Sequence, residues 1–235
     1  MRRHTIIFIL VAGAIAGCSP GDRTASPQIP NLIDLKRDVT TNIAAIDPNR
    51  AAVMTADELR EAFESLLAVH VETLDEVMQR ARNREPSLAQ WTTKLTKNTD
   101  DITGAIGLMY GPVGARSFGQ QWAHHTQFLM NYADALSRDD RDGMQLAREN
   151  LHDYEHDNAA LLDTATAGNA PQAAVEAMLT THVRQMIDAL NSSPNHNEQT
   201  HSASVATARK YAQLIGATLA AAVAAQQPQA FPTSK

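Results

Sequence analysis

Three segments of the chain share one spacing of apolar residues around a histidine. They are Phe63, Leu67, His70 and Leu74; Phe118, Trp122, His125 and Leu129; and Val175, Leu179, His182 and Met186. The three histidines lie 55 and 57 residues apart, which reads as an internal repeat of about 56 residues seen three times. Within each copy the offsets −7, −3, 0 and +4 fall on one face of a 3.6-residue helix. The pattern therefore predicts three helices, each with one histidine inside the stripe that it buries.

Between these segments the punctuation is helical as well. Thr55-Ala-Asp-Glu58 matches a capping box, which predicts helix 1 from Ala56 to about Asn83 with Leu59, Phe63, Leu67, His70, Leu74, Val77 and Met78 inward. Ser87-Leu-Ala-Gln90 reads as a second capping box and opens helix 2, which runs to about Tyr110 with Trp91, Leu95, Asn98, Ile102, Ala105, Ile106 and Met109 inward. Gly111-Pro112 ends that helix and starts the next, over about Val113 to Ser137. Helix 4 is expected over about Gly143 to Thr166, with Leu146, Leu151, Tyr154, Leu161 and Leu162. Helix 5 runs from near Pro171 to Asn191, and helix 6 from about Thr200 to Ala225 after a loop. Pro228 and Pro232 end order. Abundant alanine and an aromatic content of only 5% agree with an all-helical chain. The expected architecture is all-α, a six-helix bundle or short array built from three repeated helical hairpins, each a histidine helix with its partner. Gly104 and Gly107 are read as places where helices pack closely.

The amino terminus carries an address. A basic start, Met1-Arg-Arg-His-Thr, precedes an apolar run from Ile6 to Ala16, too short to span a bilayer but suited to a signal peptide. It ends Ile15-Ala16-Gly17-Cys18, which resembles the lipobox of bacterial lipoproteins. That resemblance implies cleavage after residue 17 and lipid on the Cys18 sulfur, with the protein held at the extracytoplasmic face of a cell membrane. Arg2-Arg3 begins a twin-arginine export pattern without completing it, so the export route stays open. Cys18 is the only cysteine, so the exported part has no disulfide and is stabilised by packing. Residues 18–50, with Pro20, Pro27, Pro30 and Pro48, read as a lipidated tether containing a marginal helix over Asn31 to Ile46. Residues 51–227 form the helical domain and 228–235 a disordered tail.

The candidate chemistry is in the histidines. A histidine within an apolar stripe is commonly a core residue bonded to a neighbouring helix, and Asp101 and Asp157, 56 residues apart in the partner helices, offer themselves as bonding partners. The sharper reading is a metal site for copper, zinc or iron. Its candidate ligands are His70, His125, Glu149, His152, His156 and His182, with Asp101 and Asp157 as ligands or supports. Glu149-x-x-His152 has the spacing of the Glu-x-x-His element of ferritin-like di-iron bundles, and His152 and His156 are at i and i+4, where they can clamp one ion. No second Glu-x-x-His follows, and the residues four beyond His124 and His125 are Phe128 and Leu129 rather than acids, which disfavours a di-iron centre of ferritin or hemerythrin type. Met78, Met109, Met130, Met178 and Met186 sit at core spacings and read as core filling. No nucleophile elbow, cysteine nucleophile or phosphate loop supports an enzyme. A net charge of −6 without a basic, aromatic-interleaved patch disfavours nucleic acid.

The stretch from Leu95 to Ile106, then Tyr110-Gly111, Phe118, Trp122 and His125, resembles a family of exported helical proteins of Gram-positive bacteria. The resemblance extends over Leu59 to Phe231, through Leu151-x-x-Tyr154, Leu179-x-x-His182 and Gln227-Pro228. It implies the helical fold and export, and no reaction. It also implies a histidine and an acid in the last helix, where this chain has Tyr211-Ala212 and Ala217. The sequence thus favours a lipid-anchored envelope protein with a non-catalytic binding or structural role, its partner an envelope protein or a small ligand. A metal-binding helical bundle is the alternative.

Overall fold

The computed structural model describes residues 54–192 and 194–233. The signal peptide, Cys18, the tether and the expected helix over Asn31 to Ile46 lie outside the described residues. Among the described residues the fold is all-α, with five helices: α1 (Ala56–Asn83), α2 (Leu88–Ser137), α3 (Arg141–Ala165), α4 (Gln172–Asn191) and α5 (Pro194–Gln226). Neighbours in sequence pack on one another, and α1 closes the bundle by packing on both α2 and α5 and touching α4.

Five helices replace the expected six, and the three-hairpin scheme is corrected with them. The two helices expected on either side of Gly111-Pro112 are one element, α2, bent double at Gly111. Gly111 takes φ 69° and ψ −176°, a conformation open essentially to glycine alone. Pro112 follows at the first turn of the second arm, where its missing N–H costs nothing. The arms lie side by side: a Cβ at Gly119 would stand 3.3 Å from Thr103 Cγ2, and one at Gly107 3.4 Å from Ala115 Cβ. Because α1 also packs against α4 and α5, the units form one closed bundle rather than an array of separate hairpins.

Local expectations fared unevenly. The capping box at Thr55 forms: Thr55 N–H donates to Glu58 Oε2 at 2.7 Å, and Glu58 N–H donates to Thr55 Oγ1 at 3.2 Å. Ser87 makes no such cap. Its hydroxyl is engaged with Arg80 Nε (3.1 Å) and Glu85 Oε2 (3.3 Å), and its backbone is already helical. Asp140 caps α3 by accepting from Gly143 N–H at 2.9 Å. The last helix is assigned from Pro194 rather than Thr200, with a break at Asn197, whose Oδ1 accepts from Thr200 N–H at 3.0 Å. Leu146 is exposed rather than inward. Gly104 has open space around it, whereas Gly216 makes the close approach: a Cβ there would meet Phe63 C at 2.8 Å and O at 2.9 Å.

The end of the chain does not leave the bundle at Pro228. Phe231 is buried in the main core, and Ala56 N–H donates to the Pro232 carbonyl at 3.0 Å, tying the last described turn to the start of α1. An aromatic side chain gains enough by burial to hold a short proline-flanked turn against the core. The inward faces read from the sequence agree with the core: Leu59, Phe63, Leu67, Leu74, Val77 and Met78 of α1 are buried, as are Phe118, Leu129, Leu151, Val175, Leu179 and Met186.

Candidate metal centre

The three repeated histidines meet. His70 comes from α1, His125 from the second arm of α2 and His182 from α4, and all three are buried. Each offers one ring nitrogen to a common point, with these atoms all within 4.8 Å of one another. Among the described residues this is the sole cluster of three or more histidine, cysteine or acidic side chains close enough to share an ion. His70 Nε2 and His125 Nε2 are 3.2 Å apart, and the rings of His70 and His182 are 6.4 Å apart between centroids.

Aromatic side chains fix the rings. Trp122, one helical turn before His125, lies 4.7 Å from the His70 ring and 4.6 Å from the His125 ring. Tyr154 of α3 stacks on His125 at 5.1 Å. A cavity of about 50 Å³ adjoins the rings and is otherwise walled mainly by apolar groups such as Phe63, Ile106, Phe118 and Leu179.

The hydrogen bonds determine where the protons are. His125 Nδ1 is 2.9 Å from the Trp122 carbonyl, which can only accept. The hydrogen is therefore on Nδ1 and the lone pair on Nε2. His70 Nε2–H then donates to His125 Nε2, which leaves His70 Nδ1 bare. Nδ1 of His70 and Nδ1 of His182 have no hydrogen-bond partner. Asn98 Nδ2 donates to the Leu66 carbonyl at 3.0 Å, which turns Oδ1 into the free end of the amide. Asn98 weakly favours a protonated His70, yet the pair stops short of a hydrogen bond, and Asn98 Oδ1 is also without a partner.

Burial dominates the electrostatics. It holds His70 well below the ordinary imidazole range, with repulsion from the other two rings adding to it. Burial and repulsion from His182 push His125 down to about 3 against the bond to the Trp122 carbonyl, and burial alone pushes His182 to about 4. Three neutral imidazoles converge at physiological pH, which is the protonation state that metal ligation needs. In a tetrahedral ion with bonds near 2.0–2.1 Å, adjacent nitrogens are about 3.3 Å apart. The His70–His125 separation already matches this value, so only His182 has to close in, by at most about 1.5 Å.

The other candidates are elsewhere. Asp101 is exposed and paired with Lys97 at 2.7 Å. Asp157 is half-buried and outside the cluster. The residues that do face His70 and His125 from the partner segments are Asn98 and Tyr154, three positions earlier in each case, about one turn from the acids. Glu149 is exposed and accepts from Gln145 Nε2 at 2.9 Å. His152 is exposed beside Glu155 (3.8 Å), and His156 meets Glu176 at 3.1 Å, so the i, i+4 pair does not clamp a shared point. With Leu151, Tyr154 and Asn158 facing inward, helical periodicity turns 149, 152 and 156 to solvent.

A fourth buried histidine, His201, is not one of the residues the sequence singled out. His201 Nε2 lies 3.1 Å from Asp75 Oδ2, and His201 Nδ1 donates to the Ala189 carbonyl at 3.1 Å, joining α1, α4 and α5. Its signal was Asp75, an acid that falls between Leu74 and Met78 on the apolar side of α1. No family model, curated protein or solved structure matches the chain.

Proposed function

We propose that the protein is an extracytoplasmic metal-binding helical bundle that holds one transition-metal ion through His70, His125 and His182. The observation that carries this reading is the convergence of three buried, neutral imidazoles from three helices. A purely structural role would leave each ring nitrogen with a partner, because buried polar atoms are nearly always satisfied. Here Nδ1 of His70 and of His182 have none. An ion would take the lone pairs of all three rings and free His70 to carry its hydrogen on Nδ1, facing Asn98 Oδ1. Support of this kind, behind a ligating histidine, is the usual way its tautomer is fixed. His125 already has it from the Trp122 carbonyl.

The lipobox-like Ile15-Ala16-Gly17-Cys18 supports the address: the bundle is tethered to a cell membrane through lipid on Cys18 and faces the extracytoplasmic space. The apolar walls beside the cluster hold a reacting water or polar substrate poorly, so binding, storage or delivery of the ion fits better than catalysis. The test is elemental analysis of the full chain purified without tags or chelators, beside His125→Ala and His182→Ala. One equivalent of copper, zinc or iron, lost in both variants and kept in His152→Ala/His156→Ala, is expected. A folded protein that takes up none of the three metals would reduce the histidines to internal struts.

A further inference from the structure

Resting on the metal-binding reading, we infer that the ion this site selects is monovalent copper, Cu(I), rather than a divalent metal. The inference comes from the charge around the cluster. All three ligands are neutral rings, and no acidic side chain lines the adjoining cavity. The nearby acids are engaged elsewhere: Asp75 of α1 pairs with His201 and Asp101 of α2 with Lys97, while on α3 Glu149 accepts from Gln145 at the surface and Glu155 accepts from Thr180 Oγ1 at 2.6 Å. Moving an ion out of water costs in proportion to the square of its charge, so a dication costs about four times as much as a monocation of the same size. Here no anion offsets the difference.

Coordination number points the same way. Zinc(II) completes a tetrahedron, and with three histidines it needs a water or an anion as the fourth ligand. The cavity beside the rings is walled largely by apolar and aromatic groups, which hold such a water poorly. Copper(I) accepts three ligands without a fourth, and imidazole is among its suitable donors. Because the rings are already neutral, binding the ion displaces no proton to solvent. The hydrogen on His70 only moves from Nε2 to Nδ1.

The test is an anaerobic competition titration of the full chain in detergent micelles. Copper(I) is supplied as its bicinchoninate complex, and zinc(II) as its chloride against a chromophoric chelator. One equivalent of copper(I) is expected to bind at least about a hundredfold more tightly than zinc(II), a difference of about 2.7 kcal/mol. Zinc bound as tightly as copper(I) would overturn the charge argument and leave the metal-binding reading standing. Neither ion binding to the folded protein would overturn both. X-ray absorption on the unsubstituted copper form needs no variant that could misfold. Three nitrogen neighbours are expected, and a shell containing sulfur or dominated by oxygen would overturn the assignment. Copper retained at full stoichiometry in His125→Ala and His182→Ala would place it at another site and overturn it too.

Discussion

His70 Nε2 lies 3.2 Å from His125 Nε2, so two residues 55 apart in the chain share one hydrogen between two buried rings. Trp122 stands against both rings. An ion inserted between them is therefore reported by this indole. Trp122 fluorescence is expected to be quenched on adding one equivalent of copper, with the change abolished in Trp122→Phe while metal uptake persists. Trp91, half-buried under Arg80 and Lys94, should not respond. An unchanged Trp122 signal on stoichiometric loading would argue against binding at the triad.

Asn98 is expected to matter to metal binding without touching the ion. Its Oδ1 is the free acceptor near His70 Nδ1, and loss of support behind a ligating histidine lowers affinity by roughly 10–100-fold. Asn98→Leu should weaken binding by about that factor while the number of ions bound stays at one. Asn98→Asp, which keeps the acceptor, should bind at least as tightly as the unsubstituted protein. Equal affinity in all three would remove Asn98 from the site.

Acid should unfold the metal-free protein, and the sign follows from burial. The folded-state values of His125 (about 3) and His182 (about 4) lie below the ordinary 6.5, and His70 is lowered too, so the unfolded chain binds more protons in this range. Stability is full above about pH 6.5 and falls as pH drops toward 4, by about 1.4 kcal/mol per pH unit for each titrating ring. Asp75 and Glu155, raised by burial, act in the opposite sense and soften the slope at its acid end. Urea midpoints at pH 7.5 and 5.5 measure this. The difference should shrink in His182→Gln and would be absent if the rings were solvated.

Gly216 sets the distance between α5 and α1. A side chain there meets the backbone of Phe63 at 2.8 Å and of Glu64 at 3.0 Å, and backbone cannot rotate away. Gly216→Ala is expected to destabilise the bundle by about 1–3 kcal/mol despite the better helix propensity of alanine. Gly104→Ala, at an open position, should be neutral or slightly stabilising. Thermal unfolding of the two variants side by side makes the comparison.

The Asp75–His201 pair should behave as a structural staple. Removing one member of a buried pair leaves the other uncompensated, typically at about 3–5 kcal/mol. Asp75→Ala is expected to lower stability by that order while leaving the metal stoichiometry at one ion, since the pair is not part of the histidine cluster.

Local periodicity made most of the helical segments legible, together with most of their inward faces and the equivalence of the three histidines. His70, His125 and His182 hold the same place in the same apolar stripe, and whatever buries the stripe buries the ring. It also held the signal that Glu149, His152 and His156 face solvent, because Leu151 and Tyr154 fix the inward side of that helix. Spacing alone made them attractive as ligands, since spacing says which residues are neighbours along a helix and not which way the helix is turned. Packing between the helices fixed the rest. That three equivalent rings share one point depends on how α1, α2 and α4 cross, and no stripe specifies the angle between helices. The acids at 101 and 157 missed the rings by about one turn, and Asn98 and Tyr154 took their places, because axial offset between packed helices is set by side-chain interdigitation across the interface. The same long-range packing drew Phe231 back into the core, where apolar burial outweighs the local tendency of a proline-flanked tail to run free, whereas the bend of α2 at Gly111 was legible in the local Gly111-Pro112 pair.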